Sequence, residues 1–101
     1  MDQTIAIKKV NTFEDVTIGL RNLYEKKNSD YDDSFGKGFE KWGLPMVCIR
    51  LGDKLSRLES FAQRKDMLVL DESVEDTLRD LANYAIMTLV ELELKNNGGT
   101  K

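Results

Sequence analysis

The chain has 101 residues, of which 41% are hydrophobic and 33% charged, with a formal net charge of −3; this is the profile of one small domain with no cationic field for coating DNA or RNA. The absence of histidine excludes the usual serine or cysteine triads and every histidine-based metal site. The single cysteine, Cys48, excludes an intrachain disulfide and, between Val47 and Ile49, reads as a small buried hydrophobe in a reducing compartment.

Residues 1–10 alternate weakly at Ile5 and Ile7 and then carry two lysines, which predicts a short strand or extended arm. Asn11 or Thr12 can cap the next segment, where Phe13, Val16, Leu20, Leu23 and Tyr24 predict a helix over about 13–28. Residues 28–44 place three glycines, four acidic residues and four aromatics in seventeen positions. Gly36, Gly38 and Gly43 predict an irregular centre in which Phe35, Phe39 and Trp42 share at most a short helical face. Its aromatics either plug the end of a helical core or form a lid or stacking wall for a planar base.

Pro45 suits the first turn of a helix running to about Lys65, and the apolar run Met67 to Leu70 predicts a docked connector. Ser73 is a candidate N-cap with Asp76 at the capping-box position, opening a helix over about 73–95 with Val74, Leu78, Leu81, Ala85, Leu89 and Leu92 on one face. Residues 96–101 read as a polar tail. The expected fold is all-α: a long antiparallel hairpin, about 45–65 and 73–95, with the N-terminal helix as a third member. Three helices cover such a hairpin incompletely. Met46, Met87, Val90 and Leu94 are therefore expected to be surplus apolar surface for a second copy, completing a bundle as a homodimer. No apolar run approaches the ~18 residues needed to span a bilayer, and no signal-peptide pattern opens the chain, so a cytoplasmic protein without a membrane partner is expected.

Charge carries the functional signal. At 100° per residue Arg50, Asp53, Lys54 and Arg57 share an arc beside the apolar face of their helix, and Asp76, Asp80, Asn83 and Tyr84 share one on the next. Cations beside a half-buried face require counter-charges. Either the two stripes form an interhelical salt-bridge network, or Arg50 and Arg57 with Lys54 bind a phosphate chain, Arg as a bidentate fork and Lys as a point charge. Asp76 and Asp80, with Asp53 or Glu72 nearby, could alternatively hold Mg²⁺ and activate water against a phosphoanhydride. The loop acids Asp30, Asp32 and Asp33 are a further, weaker suggestion of a metal site.

Three ordered motifs resemble a known family: Asp30-Tyr31-x-x-Ser34-Phe35, Arg50-x-x-Asp53-Lys54-x-x-Arg57-Leu58, and Glu72-Ser73-x-x-Asp76-Thr77-x-x-Asp80-Leu81-Ala82-x-Tyr84-Ala85. Over about residues 24–92 the chain is similar to the small phage and bacterial proteins called nucleotide modification associated domain, type 1. The resemblance implies nucleotide handling in modified-nucleotide metabolism, in a host cytoplasm if phage-encoded, without fixing a reaction. The layout also resembles, more distantly, the all-α MazG-type and dimeric dUTPase pyrophosphohydrolases, whose paired acids hold Mg²⁺. Here Thr77 takes one of those acid positions, and Arg50, Lys54 and Arg57 stand where the enzymes carry acids. Cations there attract phosphate directly and repel a metal. The expectation is a nucleotide binder: Arg50, Lys54 and Arg57 on phosphate, Asp76, Asp80 and Tyr84 orienting them or the ribose, and Tyr31, Phe35 or Trp42 on the base. The competing readings are a Mg²⁺-dependent pyrophosphohydrolase using Asp53, Glu72, Asp76 and Asp80, and a protein that sequesters a host signalling nucleotide unaltered.

Overall fold

In a computed structural model, which describes residues 2–64 and 73–98, the chain is all-α, with four helices: α1 (Gln3–Asp30), α2 (Ser34–Trp42), α3 (Leu44–Gln63) and α4 (Val74–Gly98). Two compact units divide it, Met1–Asp33 and Ser34–Lys101. The predicted connector, together with Lys65 and Glu72, lies outside the described residues. Among those residues no helix is long and apolar enough to cross a membrane.

The first unit is essentially α1. The helix begins at Gln3, not near Phe13, because the Asp2 carboxylate accepts the Thr4 N–H at 2.9 Å and closes the first turn. Two isoleucines in alternation are too short a pattern to outweigh that cap, so the extended arm is replaced by helix. At the other end Asp32 and Asp33 both take left-handed backbone, φ 53° and 54°. Aspartate tolerates this conformation better than most residues, and the Asp33 N–H returns to the Asn28 carbonyl at 3.0 Å, ending the helix.

In the second unit the expected irregular centre is instead a regular helix, α2. Its glycines serve close packing. Gly36 is buried, and a Cβ on Gly38 would stand 2.7 Å from the Met46 sulfur, so α2 lies directly on α3. Met46 is accordingly packed within the chain and is not surplus surface. One residue, Gly43, separates the two helices; its φ of 70° and ψ of −155° belong to a region that only glycine occupies readily. The Gly43 N–H donates to the Phe39 carbonyl at 2.8 Å and Pro45 enters the first turn of α3.

Helices α3 and α4 form the expected hairpin, and their contacts fix its sense. Arg50 lies against Tyr84 and Lys54 against Asp80, so residue numbers rise on one helix as they fall on the other. Ser73 caps α4 as its sequence predicts, its hydroxyl oxygen accepting the Asp76 N–H at 3.0 Å. Replacing Ser73 with alanine removes that acceptor and should lower stability by about 1 kcal/mol, readable as a shifted urea midpoint at constant slope.

The face that α4 turns inward differs from the predicted one. Buried here are Thr77, with 0% exposure, Asn83 and Thr88, whereas Leu78, Leu89 and Leu92 are 47%, 60% and 37% exposed. Buried threonines are tolerable because each hydroxyl returns to its own helix. The Thr77 Oγ1 donates to the Ser73 carbonyl at 3.2 Å and the Thr88 Oγ1 to the Tyr84 carbonyl at 2.7 Å. With Phe35, Val47 and Phe61 these residues make the small core of the unit.

Candidate functional site

The charged stripes meet across the α3–α4 seam. Successive layers are one helical turn apart, since Arg50 and Lys54 on α3 face Tyr84 and Asp80 on α4, each pair at the i, i+4 spacing. In the outer layer the Lys54 ammonium meets the Asp80 carboxylate at 2.8 Å, with side chains only 18% and 22% exposed. In the next layer the Arg50 guanidinium sits 5.8 Å from the centre of the Tyr84 ring. Phe35 of α2 also stacks on Tyr84, with ring centres 6.0 Å apart and planes 21° from parallel. Tyr84 thus contacts both Phe35 and Arg50, with an ion pair one turn away.

Arg50 stands out in that group. Its Nε is buried and has no hydrogen-bond partner among the described residues, an arrangement that costs on the order of 1–3 kcal/mol unless something satisfies it. The face of Tyr84 attracts the cation electrostatically but offers no acceptor for an N–H. Guanidinium is a planar fork suited to a bidentate oxyanion.

The other predicted residues fall into place unevenly. Asp53 and Arg57 are exposed on α3, on the flank that also carries Arg50 by helical spacing. Asp76 turns along its own helix, its carboxylate taking the Arg79 guanidinium at 3.0 Å, with both groups at least half exposed. Asp76 and Asp80 are thus held by different cations, and Glu72 lies outside the described residues. Among the described residues no three acidic or cysteine side chains cluster closely enough to hold a metal ion. The aromatics separate as well. Phe35 is 5% exposed and forms a floor under Tyr84, while Trp42 is 63% exposed at the end of α2, with the Lys41 ammonium 5.1 Å from its ring centre. Tyr31 is exposed and belongs to the first unit. Cys48, expected to be buried, is exposed. What spacing alone does not reveal is the Tyr84–Phe35 stack, because it depends on α2 lying across the hairpin.

Residues 27–92 match the model of a family described as Nucleotide modification associated domain 1, about two thirds of the chain. No curated protein and no solved structure matches at a significant level. The chain belongs to that family, whose description ties it to nucleotide metabolism.

Proposed function

We propose that this member of the Nucleotide modification associated domain 1 family binds a nucleotide or nucleotide-derived small molecule through its phosphate, with Arg50 as the principal contact. The observation that carries this reading is the buried Nε of Arg50, a cationic donor without an acceptor, backed by an aromatic ring. A phosphate oxygen would supply what that donor lacks once the Arg50 side chain turns outward along its helix edge. Lys54 lies one turn away, its charge balanced by Asp80, and Arg57 extends the cationic edge along α3. Tyr84 positions Arg50 and Phe35 positions Tyr84, so within this unit the base has Trp42 as its exposed aromatic candidate.

The test is equilibrium dialysis or calorimetry against a panel of nucleoside mono-, di- and triphosphates with and without Mg²⁺. Arg50→Ala is expected to weaken the best ligand on the order of tenfold to a hundredfold, the magnitude of a charge-assisted hydrogen bond, with helicity unchanged. Arg50→Lys is expected to recover only part of the loss, because a point charge cannot reproduce the fork. Unchanged affinity in Arg50→Ala would overturn the assignment. Release of pyrophosphate in the same incubations would replace binding by the hydrolytic reading through Asp53, Glu72, Asp76 and Asp80. Retention of one nucleotide without turnover supports binding, including sequestration of a signalling nucleotide.

A further inference from the structure

The side of the hairpin away from Arg50 carries an apolar surface that is exposed among the described residues. On α4, Leu78, Ala82, Ala85, Leu89 and Leu92 recur at alternating intervals of four and three, the spacing of a coiled-coil seam. All three leucines are exposed, as is Ala85. About 100° from the inward face of α3, in the same rotational sense, lie Cys48, Gly52 and Leu55, all exposed. Since the helices are antiparallel, equal rotation in the same sense brings both stripes onto one side of the two-helix layer. Gly52 sits mid-helix, where glycine costs about 1 kcal/mol against alanine. A Cβ built there would meet nothing within 4 Å, so no packing among the described residues requires the glycine. It leaves room for another backbone to approach.

We propose that this face is the dimer interface and that its occupant is a second copy of the chain, with α4 packed antiparallel against its symmetry mate. The pattern is self-complementary in one register. When Ala82 of one copy opposes Leu92 of the other, Ala85 opposes Leu89, and the two-fold axis repeats both layers. Every one of these layers then pairs a small side chain with a large one, which fills space evenly at close helix separation. The same register sets Arg79 opposite Glu93 across the flank of the seam, twice by symmetry. Arg79 is half exposed against Asp76 on its own helix, so its head group is at the surface where a second carboxylate can reach it. Sliding the mate by one heptad in either direction removes the Arg79–Glu93 opposition and puts alanine against alanine or leucine against leucine. The interface lies across the layer from Arg50, so its test is independent of any ligand.

Sedimentation or light scattering of the native chain should return twice the chain mass. Leu89→Glu is expected to raise the dissociation constant on the order of a hundredfold or more by placing a carboxylate in an apolar layer, with far-ultraviolet dichroism confirming that α4 remains helical. The register is tested at exposed positions that leave the fold intact. Arg79→Glu and Glu93→Arg should each weaken the dimer, on the order of tenfold, and the double swap should restore it. A monomeric native chain, a dimer indifferent to Leu89→Glu, or a double swap no tighter than the single variants would overturn the proposal.

Discussion

Phe35→Ala is expected to cost about 3 kcal/mol of unfolding free energy, toward the lower end for a buried phenylalanine. Two losses combine. The ring is 5% exposed, so truncation opens a cavity in a unit with few other buried large side chains, and the stack on Tyr84 disappears. Stacked rings add about 0.5–1.5 kcal/mol beyond area burial, which makes Phe35→Leu the informative comparison. Leucine restores most of the volume and none of the ring–ring interaction. Urea unfolding followed by far-ultraviolet dichroism should order the three proteins native, Leu, Ala, with the Leu variant nearer native. A Leu variant as unstable as the Ala variant would show that ring shape, and not filled volume, dominates. Because Tyr84 lies against Arg50, the proposed role of Arg50 predicts that both variants also weaken binding of a nucleotide under conditions where they remain folded.

Asp80→Asn is expected to destabilise the chain by about 2–3 kcal/mol, while Lys54→Met costs no more than about 1 kcal/mol. The two residues form one ion pair at 2.8 Å, with similar exposure, so a purely local account predicts equal effects. Their surroundings break that equality. Arg50 lies one turn from Lys54 on α3, so removing Asp80 leaves two cations in adjacent layers without this carboxylate. Removing Lys54 leaves the carboxylate with a remaining cation one turn away. Replacing both residues with apolar ones, Lys54→Met with Asp80→Leu, should recover part of the stability lost in Asp80→Asn, since the lysine that lost this carboxylate is removed with it. Chemical denaturation of the two single variants and the double variant measures this directly. Equal losses in the singles would refute the asymmetry.

The charged residues were the legible part of this fold. Cations at 50, 54 and 57 beside an apolar stripe demand carboxylates, and Asp80 answers Lys54 in the antiparallel hairpin that helical spacing predicts. Asp76 was not legible in the same way. As the N3 residue of α4 its backbone bonds to Ser73, and its carboxylate finds Arg79 three residues on, a local solution that interhelical reasoning overlooks. The inward face of α4 was misread for a related reason. A threonine counts as polar in a pattern, yet once its hydroxyl bonds to its own helix it packs like a branched aliphatic side chain, and Thr77 and Thr88 do this. Leu78, Ala85, Leu89 and Leu92 then remain outside. Gly38 shows the opposite case, because a glycine that permits close approach and a glycine that ends a helix look alike until the neighbouring helix is in place.

The one-residue elbow at Gly43 has a consequence for how a ligand reaches Arg50. A hinged gate needs slack between the moving part and its base, and α2 has none: Gly43 is bonded back to Phe39, and Met46 bonds back to Gly43. Swinging α2 outward would also expose Phe35, at about 2–3 kcal/mol, so such an open form would hold on the order of 1% of molecules. The segment that its aromatics first suggested as a lid is a fixed wall. A ligand of the kind proposed above would then reach Arg50 by rotation of side chains along the α3 edge, with no helix displaced.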